Sequence, residues 1–175
     1  MQIKWNKQTK KILIILLCAV FTLGLIIGVV SCASKKGKAT DFTVLNERGQ
    51  NVQLSDYKGK PVVVNFWATW CGPCLSEMPH FDSAYEEYKK EVQFMMVNLT
   101  TWEETTSISY VKDFLNEKGY DFPAFFDAKG KAADAYDIQS IPLTLFIDKN
   151  GNLVYEHTGA MSEAQLTNYI EKYLL

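Results

Sequence analysis

Nineteen consecutive residues, Ile12 to Val30, carry no charge, with Lys4, Lys7, Lys10 and Lys11 before them and Lys35, Lys36 and Lys38 after. A helix of that length reaches about 28 Å, close to the hydrocarbon thickness of a bilayer. Ser34 to Thr40 is small and lysine-rich without an apolar period, the composition of a flexible spacer. The pattern then changes to short apolar runs divided by turn residues. Phe42 to Leu45, Glu47-Arg48-Gly49-Gln50 and Val52 to Leu54 predict a β-hairpin, and Ser55 and Asp56 a short helical turn. Val62 to Trp67 is apolar apart from Asn65, as in a strand buried on both faces at the centre of a sheet. Leu75, Met78, Phe81, Tyr85 and Tyr88 recur at helical spacing, with Pro73 in the first turn and Pro79 placed to kink the helix.

Val92 to Leu99 predicts the next strand, and Glu103 to Lys118 a second helix ended by Gly119. Phe122 to Phe126 is extended around Pro123, and Lys131 to Tyr136 is weakly helical. Leu143 to Ile147 and Leu153 to His157 flank the turn Asp148-Lys149-Asn150-Gly151 as a hairpin. Ser162 to Gln165 then opens an amphipathic helix running to Leu175. Strands alternating with helices make an α/β domain with helices on both faces of its sheet. The chain divides into a basic region (1–11), a membrane anchor or lipoprotein signal segment (12–32), a linker (33–40) and one folded domain (41–175).

Charge sharpens this division. The 175 residues carry a formal net charge of -2, yet from Thr40 onward all 20 acids face only 11 of the 18 basic residues, a net -9, which leaves +7 on the first 39 residues. An acidic folded part argues against a nucleic-acid partner. The basic start and apolar run argue for a membrane, with the N-terminus cytoplasmic and the domain outside. Two anchors fit. The apolar region exceeds the roughly 7 to 15 residues of a cleaved signal peptide, which favours an uncleaved helix. Val29-Val30-Ser31-Cys32 resembles the lipobox of bacterial lipoproteins, which implies a lipid on Cys32. Either anchor puts the domain on the extracytoplasmic face of the cell membrane. Cys18, inside the apolar run, reads as a small apolar residue.

Candidate chemistry lies at the strand-to-helix junction, Trp70-Cys71-Gly72-Pro73-Cys74. Two thiols three residues apart can close into a disulfide and reopen. Cys71 stands at the N-terminus of the predicted helix, where unpaired backbone N–H groups and the dipole favour a thiolate, the form that attacks disulfides. Cys74, one turn on and more enclosed, is placed to attack the Cys71 sulfur once a mixed disulfide exists. A static disulfide and half of a zinc site are the competing readings; no second CxxC or HxxxH completes a metal site, and none is expected.

The WCGPC sequence, the strand before it, Pro79 after it and Ile141-Pro142 near the end resemble the thioredoxin superfamily. Within that superfamily, Leu54 to Lys60, Asn65-Phe66-Trp67, the N-terminal hairpin and an inserted segment around Glu103 to Phe126 resemble the membrane-tethered ResA/TlpA type of thiol-disulfide oxidoreductase. The likeness covers roughly Asp41 to Leu175. It implies a thioredoxin-like fold: a central mixed sheet flanked by helices, an N-terminal hairpin and a central αβ insertion. It also implies a cis Pro142, with the Ile141 backbone beside the cysteines to pair with an extended substrate segment. A turn proline opening the next strand is the alternative there.

Ordinary thioredoxins carry a buried aspartate where this chain has Asn65, so the usual proton acceptor for Cys74 is absent. ResA-like proteins have a glutamate at the position of Glu77, one helical turn beyond Cys74 and on the same face, where it is thought to tune the thiols. The alternative for Glu77 is a solvated residue stabilised by the helix dipole. Trp70 either shapes the contact surface with Gly72 and Pro73 or is a half-buried aromatic. His80 and His157 show no metal spacing and receive no role. The pairs Glu86-Glu87 and Glu103-Glu104 read as solvated faces.

The resemblance implies an exported, membrane-tethered thiol-disulfide oxidoreductase with Cys71 as nucleophile, Cys74 as resolver and Glu77 assisting proton transfer. Its partners would be exported proteins bearing a disulfide, apocytochrome c among them, and a membrane thiol relay that re-reduces it. No cofactor beyond the Cys71–Cys74 pair is required, and a monomer is expected. Gly72 stands where ResA-like proteins often have a glutamate, which weakens a claim to cytochrome maturation alone. Other readings are a disulfide oxidant, a non-catalytic binding module, or a thiol peroxidase. The last would need a Pro-x-x-x-Thr-x-x-Cys setting that does not precede Cys71.

Overall fold

Val62–Trp67, rich in β-branched and aromatic residues, is the strand around which the sheet is built. The computed structural model describes residues 37–105 and 107–175, so the run Ile12 to Val30, Cys32 and residues 33–36 of the expected linker lie outside the described residues. Among the described residues no helix is long and apolar enough to cross a membrane. The strands are β1 (Thr43–Asn46), β2 (Asn51–Gln53), β3 (Val62–Trp67), β4 (Gln93–Asn98), β5 (Ala124–Phe126), β6 (Leu143–Ile147) and β7 (Leu153–Thr158). They form one mixed sheet in the order β2-β1-β5-β4-β3-β6-β7. The helices are α1 (Gly72–Tyr88), α2 (Ile108–Lys118), α3 (Lys131–Ala135) and α4 (Glu163–Tyr173), with 3-10 turns at Leu54–Tyr57 and Thr100–Trp102.

β3 runs parallel to β4 and antiparallel to β6, placing Asn65 opposite Thr144. Because successive side chains leave a strand on opposite faces, β3 feeds two cores. Val63 and Trp67, with Phe94, Met96 and Phe146, pack against Met78, Phe81 and Ala84 of α1, Val111 and Leu115 of α2, and Leu166 and Ile170 of α4. Val62, Val64 and Phe66, with Met95, Val97 and Leu145, pack against Phe42, Leu54, Ala132, Ala133 and Ile138. Asn65 shares the alternation of Val63 and Trp67, so it faces α1.

Three local expectations need adjustment. The second helix begins at Ile108, capped by the Ser107 side chain, because Glu103 is drawn into the protein and Thr100–Trp102 forms a separate turn. Gly119 ends it in the left-handed conformation, φ 72°. α1 continues through Pro79 over 17 residues; the proline removes one internal hydrogen bond without ending the helix. Gly37 to Ala39, expected within the spacer, pair with the start of β7: the Leu153 N–H donates to the Gly37 carbonyl and the Ala39 N–H to that of Gly151.

Candidate active site

β3 delivers its last residue, Trp67, to the end of the sheet where the chain turns into α1. Cys71 caps that helix: its backbone is extended (φ -82°, ψ 97°), and its Sγ accepts from the Cys74 N–H at 3.3 Å. A sulfur thus stands where Ser, Thr or Asp oxygens usually stand, and a negative charge there would turn the contact into a charge-assisted hydrogen bond. Cys71 and Cys74 are joined in a disulfide with an S–S distance of 2.06 Å. Cys71 is 4% exposed and Cys74 1%, so the outer sulfur offers a narrow window and the inner one almost none.

The Ile141–Pro142 peptide is cis, and the Ile141 carbonyl oxygen lies 3.7 Å from the Cys71 sulfur. A disulfide sulfur has no proton to give, so this is a contact; in the dithiol state the Cys71 S–H can donate along it. Gly72 and Pro73 are exposed at the start of α1, and a side chain built at Gly72 would meet no atom within 4 Å. Trp70 is 54% exposed, its ring held by a 2.9 Å hydrogen bond from the indole N–H to the Trp102 carbonyl. It stands out from the surface beside the disulfide.

Behind Cys74, α1 turns Glu77 inward to 1% exposure. Its carboxylate accepts from Asn65 Nδ2 at 2.9 Å and from the Met161 N–H at 2.8 Å, while the same Asn65 nitrogen donates to Thr144 Oγ1 at 3.0 Å. Burial pushes the Glu77 carboxyl up to about 7, against the two hydrogen bonds and the charge of His80, which favour the carboxylate. A carboxyl that changes protonation near neutral pH, one helical turn from an inner cysteine, is suited to exchange a proton with it. The reading of Glu77 as a solvated residue is incompatible with this burial.

Glu103, expected on a solvated face, is instead 4% exposed. One carboxylate oxygen accepts from the Thr69 N–H at 2.8 Å and from Asn98 Nδ2 at 2.6 Å; the other accepts from the Thr69 hydroxyl. With the Trp102 carbonyl, it ties the loop after β4 to the turn carrying the two cysteines. One sequence signal could have found it: Ser107 is the better helix cap, which leaves Glu103 in the loop at the C-terminal edge of β4, where α/β sheets build their sites. Among the described residues no group of three or more His, Cys, Asp and Glu side chains is arranged to hold a metal.

Comparison with known proteins agrees with this arrangement. The model of the AhpC/TSA family matches residues 36–156. A thiol-disulfide oxidoreductase ResA from Halalkalibacterium halodurans is 35% identical over 142 residues, 81% of this chain and 78% of that protein. The crystal structure of a "putative Thiol:disulfide interchange protein DsbE" from Chlorobium tepidum superposes with a TM-score of 0.70 at 32% identity, covering 81% of this chain and 99% of that one. The exposed lipoprotein thioredoxin of Streptococcus pneumoniae superposes with a TM-score of 0.67 at 32% identity, covering 75% and 98%. With its thioredoxin-like fold and a cysteine pair closed at the head of α1, the chain belongs to the AhpC/TSA family, among the ResA-type thiol-disulfide oxidoreductases, and is an enzyme of that activity.

Proposed function

We propose that the protein works on the extracytoplasmic face of the cell membrane, where it reduces disulfides in exported proteins. The tether is the segment Ile12 to Val30, or a lipid on Cys32; the lysines around the uncharged run, the Val29-Val30-Ser31-Cys32 sequence and the likeness to an exposed lipoprotein support it. The observation that carries the catalytic reading is the Cys71–Cys74 disulfide at the head of α1, its outer sulfur beside the Ile141 carbonyl.

In the reduced protein the Cys71 thiolate attacks one sulfur of the substrate disulfide. That S–S bond breaks, a Cys71–substrate disulfide forms, and the departing substrate sulfur takes up a proton. Cys74 then loses its proton to Glu77, directly or through water, and attacks the Cys71 sulfur. The Cys71–Cys74 disulfide closes and the second substrate sulfur leaves, taking up the proton that Glu77 gives back, directly or through water; the substrate has then gained two electrons from the protein and two protons, one from solution and one from Cys74. A membrane thiol relay returns the protein to the dithiol form, and no cofactor is needed. Trp70, Gly72 and Pro73 form the surface that meets the substrate, and the Ile141-Pro142 backbone pairs with its extended segment. Apocytochrome c is one substrate of this class; Gly72, which leaves the motif identical to that of general thioredoxins, fits a broader set. The protein acts as a monomer.

Full-length Cys74→Ser protein expressed in cells should accumulate mixed disulfides on Cys71, identifiable by mass spectrometry after nonreducing separation. Absence of any Cys71 adduct, or disulfide reductase activity surviving in Cys71→Ser, overturns the mechanism. A mature mass beginning at a lipidated Cys32 distinguishes the two tethers.

A further inference from the structure

We propose that His80 is a positioning residue for Glu77: it fixes the Met161 backbone that holds the Glu77 carboxylate and sets its ring one helical turn from that carboxylate. The inference rests on the reading that Glu77 exchanges a proton with Cys74.

His80 follows Glu77 by three residues on α1, so the two side chains leave neighbouring positions of the helix surface. Its Nδ1 lies 2.9 Å from the Met161 carbonyl oxygen. A carbonyl oxygen only accepts, so Nδ1 carries the hydrogen, and Nε2 is left as the nitrogen that takes a second proton. The Met161 N–H donates to Glu77 Oε2 at 2.8 Å. Two residues of α1 thus grip Met161, one at its N–H and one at its carbonyl.

Met161 is well suited to transmit that grip. Its side chain is buried to 2% exposure in the core beneath α1, and the following residue, Ser162, opens α4 with a capping box to Gln165. Loss of the His80 contact would leave the Met161 carbonyl without this donor and loosen one of the two hydrogen bonds that aim the Glu77 carboxylate.

β3 and β6 present Asn65 and Thr144 around Glu77, and the turn before α4 presents the Met161 amide; none of these titrates. Among the described residues, the charge that acts on Glu77 is that of His80 on α1 itself, and it favours the carboxylate; Cys74, on the same helix, joins the titratable groups there once the disulfide is reduced. Without His80, burial acts less opposed and more of the Glu77 population is protonated at neutral pH. A protonated Glu77 cannot receive the Cys74 proton, so resolution slows below and around pH 7 and is little changed well above it.

The test uses the full-length protein, reduced and mixed with a disulfide-bridged peptide in single turnover between pH 5.5 and 9.5. His80→Asn keeps an amide N–H where Nδ1 stands but carries no charge, and His80→Leu lacks both. The inflection near pH 7 should move upward in His80→Asn and further in His80→Leu, with a several-fold loss of rate at pH 6.5 and less than twofold at pH 9. His80→Asn guards against a folding defect in His80→Leu, with thermal melts of both. Wild-type profiles in both His80 variants, while Glu77→Gln abolishes the inflection, overturn the role of His80 and leave that of Glu77 standing. Persistence of the inflection in Glu77→Gln overturns both.

Discussion

In the proposed mechanism Asn65 and Glu77 divide a task that ordinary thioredoxins give to one aspartate on the strand. Asn65 cannot accept a proton, but its amide holds the Glu77 carboxylate and Thr144 together behind the inner cysteine. Burial raises the Glu77 carboxyl from 4.5 to about 7, and the sign of its effect on stability follows. Between those values the folded protein binds more protons at this site than the unfolded chain, so stability falls as pH rises from about 4.5 through about 7. The site's share of that fall is on the order of 3 kcal/mol, and it levels off at higher pH, where both states are ionised. Chemical denaturation of Glu77→Gln across this range should show a flatter stability–pH curve than wild type. An unchanged slope would mean that Glu77 titrates as an ordinary exposed carboxyl.

Between elements, the decisive connection is the one that ties the loop after β4 to the β3–α1 turn. Glu103 makes three hydrogen bonds from a buried position, two of them to Thr69, two residues before Cys71. Glu103→Ala leaves the Thr69 N–H and Asn98 Nδ2 without their acceptor inside the protein, a loss expected to cost roughly 2 to 4 kcal/mol. The turn should also loosen, so exchange slows several-fold under conditions where the variant remains folded. Urea unfolding together with single-turnover exchange measures both effects. A Glu103→Ala protein with wild-type stability and rate would show the contact to be dispensable. Trp70→Phe is the finer probe of the same connection, since it keeps an aromatic ring, though a smaller one, and removes the N–H that binds the Trp102 carbonyl.

Taken whole, the part of the molecule from Thr40 onward is strongly acidic, with 11 basic residues against 20 acids, while its disulfide sits behind a narrow opening flanked by an exposed tryptophan. Net negative charge speeds the approach of cationic partners and slows that of anionic ones, to a degree set by salt. Raising salt from ~20 to ~200 mM shortens the screening length from roughly 20 Å to roughly 7 Å. The second-order rate constant for reduction of a cationic disulfide peptide should fall several-fold over that range, and that for an anionic peptide should rise. Salt responses of the same sign for both peptides would rule out steering by the domain's charge.

Most of the architecture was legible in the sequence because it is encoded locally. The apolar run Val62 to Trp67 is β3 residue for residue, and Gly119 and Ser162 are helix ends set by φ and by a capping box. The CxxC spacing at a strand-to-helix junction likewise announced a closable pair of sulfurs, since three residues at the first turn of a helix fix their approach. Contacts between distant residues were a different matter. Thr69 meets Glu103 across 34 residues, Cys71 meets Ile141 across 70, and Glu77 meets Met161 across 84. No period or cap reports such pairs, because they depend on the order of strands in the sheet; of the three, only the Ile141 contact was expected, and that from the family resemblance. The sequence by itself therefore determined the strands, the helices and the reactive pair. Only the tertiary structure turned Glu103 inward to hold the cysteine turn, and set Asn65, Met161 and His80 around Glu77, where burial and a neighbouring charge decide how a carboxylate behaves.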